Sequence, residues 1–163
     1  MDKDTFWALV SPLQEHLFRF ALSILKEKDE AEDAVHDVFL KLWHKRHQLN
    51  AQGNVTAFVL KATKHHCIDM LRRRGAILER SYPDAEPGVQ PNYEETDMVE
   101  FVKKKSRELP LQQRMVLELK DFQGYDYKEI CEVLEIPITT LRVNLSRARK
   151  SILKSLAHEF RKV

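Results

Sequence analysis

The chain has 163 residues, 43% of them hydrophobic and 32% charged, with a formal net charge of +2. That length fits one domain of ordinary size or two small ones. No apolar run reaches the roughly 20 residues of a membrane span, and the start at Met1 lacks the basic and apolar regions of a signal peptide, so no membrane insertion is expected.

In chain order, residues 4–25 read as one helix, with Leu13, Leu17, Phe20, Ala21 and Ile24 on a single stripe. Residues 30–43 form the clearest helix, because Ala31, Ala34, Val35, Val38, Phe39 and Leu42 follow the three-four rhythm. Residues 46–54 are polar, contain Gly53 and read as a loop. Residues 55–74 predict a third helix with a basic C-terminal end, where the helix dipole favours cations, and Gly75 is placed to stop it. Pro83, Pro87, Gly88 and Pro91 then break the pattern, and residues 76–94 read as a linker. Helicity resumes over 96–108, stops at Leu109-Pro110 and continues over 111–122 until Gly124. Residues 127–137 and 138–150 have the outline of a helix-turn-helix. No alternation with period two suggests a sheet, so an all-α fold is expected, as two small helical domains joined by a flexible linker, the second a four-helix domain.

Charge is unevenly spread. Residues 61–74 carry Lys61, Lys64, Arg72, Arg73 and Arg74 against Asp69 alone, and residues 142–154 carry five cations and no acid. Between them, residues 79–100 carry seven acids against Arg80. Two basic surfaces flank an acidic segment. In the last helix, Leu141, Leu145, Ala148 and Ile152 share one stripe, and Thr139, Val143, Ser146, Arg147 and Lys150 face away, with Arg142 at the edge. One side of such a helix packs on a scaffold and the other meets a DNA groove.

On the helix over 30–43, Asp33, His36, Asp37 and Leu40 lie opposite the apolar stripe, and a leucine among charges on an outer face fits a partner surface. The neighbouring carboxylates Glu30, Asp33 and Asp37 lack a histidine or cysteine at ligand spacing, and consecutive His65 and His66 point about 100° apart on a helix and do not chelate together. No metal or cofactor is expected. No serine–histidine–acid set and no glycine-rich phosphate loop is present, so no enzyme is expected. Cys67 and Cys131 form no CxxC and fit buried thiols in a reducing cytoplasm.

Asp33-Ala-Val-His-Asp-Val-Phe-Leu-Lys-Leu-Trp43, with Ala57-Phe-Val-Leu-Lys-Ala-Thr-Lys-His-His-Cys-Ile-Asp-Met-Leu-Arg-Arg-Arg74, resembles the first domain of extracytoplasmic-function sigma factors. Leu109-Pro-Leu-Gln-Gln-Arg114, Gly124-Tyr-Asp-Tyr-Lys-Glu-Ile130 and Thr140-Leu-Arg-Val-Asn-Leu-Ser-Arg-Ala-Arg149 resemble the second. The run from Thr140 is similar to the branch found in Bacteroidota. The resemblance covers nearly the whole chain and implies a region 2 domain over 1–75, an acidic linker over 76–94 and a region 4 domain over 95–163.

The implied function is promoter-specific transcription initiation with core RNA polymerase. Its partners are the β′ clamp helices, the β flap, promoter DNA and an anti-sigma factor, free or membrane-bound. Asp33, His36, Asp37 and Leu40 match the polymerase-contacting surface, although the family usually has glutamine where His36 stands. Lys61, Lys64, His65, Arg72 and Arg73 match the −10 surface, where His65 replaces a common asparagine. Thr140, Arg142, Val143, Ser146, Arg147, Arg149 and Lys150 match the −35 surface. Arginine takes guanine bidentately and Val143 suits a thymine methyl. The alternative from another class is a helix-turn-helix regulator that acts without polymerase.

Overall fold

The computed structural model describes residues 1–50, 53–81 and 97–161, with backbone alone for residues 50 and 76–81. Every regular element among them is helical. Helix α1 (Lys3–Val10) starts at Asp2, whose carboxylate accepts the Thr5 N–H at 2.8 Å. The single helix expected over 4–25 is interrupted by a 3₁₀ turn, Ser11–Leu13, because Pro12 has no N–H to continue the ladder. Helix α2 (Gln14–Leu25) follows and ends at Lys26, which adopts φ 67° and donates its N–H to Leu22 O.

Helix α3 (Lys28–His44) is close to its expected extent. Short α4 (Arg46–Asn50) replaces part of the expected loop. It forms beside an Arg46 guanidinium that stacks 4.0 Å over Trp43 and donates to Trp43 O and Met1 O. Asn54 then caps α5 (Val55–Ser81) by accepting the Ala57 N–H. This helix does not stop at Gly75. A Cβ there would meet nothing within 4 Å, and a glycine in a helix interior weakens the helix by about 1 kcal/mol without ending it. The rest of the expected linker, 82–94, lies outside the described residues.

In the second half, α6 (Asp97–Arg107) and α7 (Leu111–Leu117) are separated by Glu108, Leu109 and Pro110. The chain widens into one π turn over Glu118–Phe122 and reverses at Gly124, whose φ of 81° suits glycine. Helix α8 (Tyr127–Leu134) begins with Asp126 accepting the Glu129 N–H, and α9 (Ile138–Phe160) completes the helix-turn-helix.

Helices α2, α3 and α5 pack around Leu17, Phe20, Ile24, Val38 and Leu60, while α7, α8 and α9 pack around Leu119, Ile130, Leu141 and Leu145. The two halves also pack on each other, α2 against α7 and the π turn, and α5 against α8, so the apolar core is continuous.

The fastening between the halves is polar. Arg114, expected only as part of a motif, is buried and reaches the end of α2: Nε donates to Ser23 O at 2.8 Å and Nη2 to Ile24 O at 3.1 Å. Its Nη1 donates to Leu109 O. A guanidinium thus caps the carbonyl end of a helix from the other half, where the dipole favours a cation. Burial lowers its pKa from the usual arginine value; it remains charged because that value is so high.

Beside it, Gln123 Nε2 donates to His16 O and to Glu118 Oε1. Gln123 Oε1 lies 3.0 Å from His16 Nδ1. Tyr125 Oη lies 2.9 Å from the same nitrogen.

Candidate nucleic-acid interface

Helix α9 is divided as its periodicity requires. Leu141, Leu145, Ala148 and Ile152 are buried, whereas Arg142, Val143, Ser146, Arg147 and Lys150 are exposed on the far side. Val143 is 46% exposed, an apolar contact surface between cations. Thr140 is half-buried and its carbonyl accepts from Asn144 Nδ2, which steadies the first turn. Arg142 also approaches the face of Tyr127, with 6.0 Å between guanidinium carbon and ring centroid, beside Lys120 at 4.7 Å.

Arg149 differs from its neighbours. It forms a bidentate pair with Asp121 of the π turn, Nε to Oδ2 at 2.9 Å and Nη2 to Oδ1 at 2.6 Å. That hydrogen-bonded pair raises the Arg149 pKa further and ties α9 to the π turn. Its guanidinium is exposed but engaged by Asp121, unlike those of Arg142 and Arg147 on the same helix.

The second basic surface lies on α5. Lys61, Lys64 and His65 occupy the same stripe of the helix, with Arg72 two turns further on. The structure brings the first three together around one carboxylate. Glu135, in the turn between α8 and α9, lies 3.1 Å from Lys61 Nζ, 3.3 Å from His65 Nε2 and 3.9 Å from Lys64 Nζ. The hydrogen bond from Lys61 and the charge of Lys64 lower the Glu135 pKa below the ordinary carboxylate value. Lys64 is buried, and desolvation lowers its pKa in spite of Glu135. Arg72 and Arg73 remain exposed, with Arg72 near Asp69 at 3.7 Å.

On α3, Asp33, His36, Asp37 and Leu40 share the exposed face, and Leu40 is 60% exposed. His66 of α5 braces this face from below. Its Nδ1 accepts from Lys41 Nζ at 2.8 Å, and Nε2 stands 3.4 Å from Asp37 Oδ2. Burial first, and then the Lys41 charge, lowers the His66 pKa, so the ring is neutral at pH 7. Arg74 pairs with Glu30 and joins the same two helices.

Sequence reasoning missed Glu135, Arg114 and Asp121. Glu135 carried a usable signal: the helix-turn-helix requires a left-handed residue at the end of α8, Glu135 takes it with φ 58° and ψ 44°, and glycine or asparagine would be expected there. Arg114 stands between Gln113 and the apolar run Met115–Leu117, where the sequence gives no local sign that the cation is buried. Nothing local distinguishes Asp121.

The Sigma-70 region 2 family model matches residues 9–77, and the Sigma-70 region 4 model matches residues 105–152. The chain is 27% identical to the ECF RNA polymerase sigma factor SigE of Mycolicibacterium smegmatis over 157 residues, covering 91% of this chain and 60% of that protein. It is 21% identical to SigX of Bacillus subtilis over 164 residues, covering 94% of this chain and 84% of that one. Its fold resembles the sigma factor RpoE in the co-crystal structure with the anti-sigma factor NepR from Bartonella quintana. There the TM-score is 0.83 at 23% identity, over 93% of this chain and 96% of that chain. It also resembles CnrH in complex with the cytosolic domain of CnrY, with a TM-score of 0.71 at 21% identity, over 96% and 90% of the two chains.

Proposed function

The chain belongs to the extracytoplasmic-function sigma factors of the sigma-70 family, and from that premise we propose that it joins core RNA polymerase through α3 and reads promoters through α5 and α9. The observation that supports this most is the coexistence on one small scaffold of two outward surfaces, the Leu40 face and the acid-free face of α9, with a second basic stripe on α5 that Glu135 of the other half meets. A regulator acting without polymerase would have no use for the first. The reading needs no catalytic group, cofactor or metal, and the protein acts in the cytoplasm with the transcription machinery.

In this reading residues 1–75 serve as the region 2 unit, 76–94 as the linker and 95–163 as the region 4 unit. Asp33, His36, Asp37 and Leu40 meet the β′ clamp helices, and the region 4 unit meets the β flap. Lys61, Lys64, Arg72 and Arg73 hold phosphates of the −10 element, and His65 meets a base edge. Arg142, Val143, Ser146 and Arg147 face bases of the −35 element, while Thr140 and Lys150 hold its backbone. Arg149 acts as a buttress through Asp121, which keeps the α9 face oriented. An anti-sigma factor, soluble or membrane-bound, is the expected regulator, and the likeness of the run from Thr140 supports kinship with the Bacteroidota branch.

The test pairs binding with folding. Leu40→Ala and Asp37→Ala should weaken core polymerase binding several-fold and leave the thermal midpoint nearly unchanged, because both side chains are exposed. A large fall in midpoint with unchanged affinity would remove α3 from the polymerase interface.

A further inference from the structure

We propose that Glu135 is an internal competitor for the nucleic-acid cradle on α5. Its carboxylate occupies the place of a DNA phosphate between Lys61, Lys64 and His65, and so holds the two halves closed. The proposal rests on the reading that this stripe binds promoter DNA.

Three observations carry it. First, the match is chemical: a carboxylate is held by a charge-assisted contact from Lys61 Nζ at 3.1 Å, with Lys64 Nζ at 3.9 Å and the His65 imidazole Nε2 at 3.3 Å beside it. Second, the occupant comes from the other half of the chain, so filling the cradle is the same event as packing α8 on α5. With α8 in place Lys64 is buried, and no phosphate reaches it until the halves part. Third, Glu135 breaks a local preference. The left-handed position at the end of α8 is filled here by a residue that gains nothing from that backbone geometry, and its neighbours within the turn offer no reason for an acid. The contact with α5 supplies the reason. Arg114 on the end of α2 is the second fastening of the same closed state, and it involves no residue of either DNA face.

Closure and DNA binding at α5 therefore exclude one another, while the exposed cations of α9 stay available in both states. The apparent affinity for a −10 strand is the intrinsic affinity reduced by the open fraction. Polymerase that separates the halves, or salt that weakens the ion cluster, releases the cradle.

The experiment uses the full chain, a labelled AT-rich single-stranded oligonucleotide and small-angle X-ray scattering. Glu135→Gln keeps the shape and removes the charge. It should expand the free protein and tighten strand binding by about threefold to fivefold, the scale of a partly exposed ion cluster. Glu135→Asn, which suits the left-handed turn, should do the same with no loss of helix content, and this separates opening from unfolding. Lys61→Ala, in the Glu135→Gln background, tests the underlying reading and should weaken the strand. If Lys61→Ala weakens binding but Glu135→Gln neither expands the chain nor tightens binding, the competitor is overturned and the DNA face survives. If Glu135→Gln expands the chain without changing affinity, Glu135 is a fastener and the competition is overturned. If Lys61→Ala leaves binding unchanged, the DNA face itself fails, and the competitor fails with it.

Discussion

The basic faces of α5 and α9 are alike in composition and opposite in circumstance. Both line up cations at helical spacing over a buried apolar stripe. On α9 Arg142, Arg147 and Lys150 look outward, and Asp121 pairs with Arg149 rather than with that outer row. On α5 the central cations surround Glu135, and one of them is buried. A charge run therefore does not say whether a surface is open. What decides is whether another part of the chain delivers an opposite charge to it, and that is a matter of tertiary packing.

The largest expected effect comes from undoing the cover. Arg114→Ala leaves the carbonyls of Ser23, Ile24 and Leu109 without their donor at a buried site. It should lower unfolding free energy by about 2–4 kcal/mol. Arg114→Lys keeps the charge but loses the planar fork, and should recover only part of the loss. Urea titration of the three proteins would measure this. A change for Arg114→Ala below about 0.5 kcal/mol would mean that water replaces the guanidinium and that the halves are held by apolar packing alone.

Next in size, the open face should separate into readers and holders. Arg147→Ala should cost roughly 1–3 kcal/mol on a cognate −35 duplex and flatten the preference at one base pair. Lys150→Ala should weaken all sequences alike and reduce the salt slope by about one. Because α9 is exposed whether or not the cradle is filled, both losses should be equal in the parent chain and in Glu135→Gln. Binding to single-base variants of the duplex at several salt concentrations would show it. Uniform loss across sequences for Arg147→Ala would remove it from base reading, and a dependence on Glu135 would show that α9 too is covered.

The parts of this arrangement differed in how far the sequence revealed them. The inward stripe of α9 and the outward position of Leu40 follow from period alone, because an amphipathic helix has one way to bury its apolar side. Helix ends were less legible. Pro12 broke a helix whose apolar rhythm continued across it, and Gly75 sat in a helix that α5 sustains to Ser81. The polar stretch after Trp43 became a helical turn because Arg46 found an aromatic face and two carbonyls, contacts that composition does not encode. The candidate DNA residues were legible as types and spacings. Their occupancy was not: Lys61 and Glu135 are 74 positions apart, and no rule of local spacing joins them.

The smallest expected effect concerns Glu118, on the covered side of the molecule under the Gln123–His16 contact. Burial pushes its carboxyl pKa up, against the opposing hydrogen bond from Gln123 and the charges of Arg19, Lys103 and His16. A raised carboxyl pKa means that the folded state prefers the neutral form. Its stabilising contribution is complete below the unfolded value and is lost as pH rises through the folded one. Glu135 has the opposite sign: its pKa is lowered, so its contribution is present above the unfolded value and lost as pH falls through the folded one. Mild acidification from neutral pH therefore favours the folded state through Glu118 while Glu135 stays charged, and only stronger acid removes the Glu135 contact. Glu118→Gln keeps an oxygen to accept from Gln123 Nε2 and removes the penalised charge. It should leave stability at pH 7 unchanged or raise it by less than about 1 kcal/mol, and flatten the rise seen on mild acidification. Denaturation of both proteins across pH, taken as a difference, isolates this group from the other titrating ones. A loss greater than about 1 kcal/mol at pH 7 would mean that the carboxylate is needed by Arg19, Lys103 or His16, and that the interface over α2 is held by charge, as the one over α5 is.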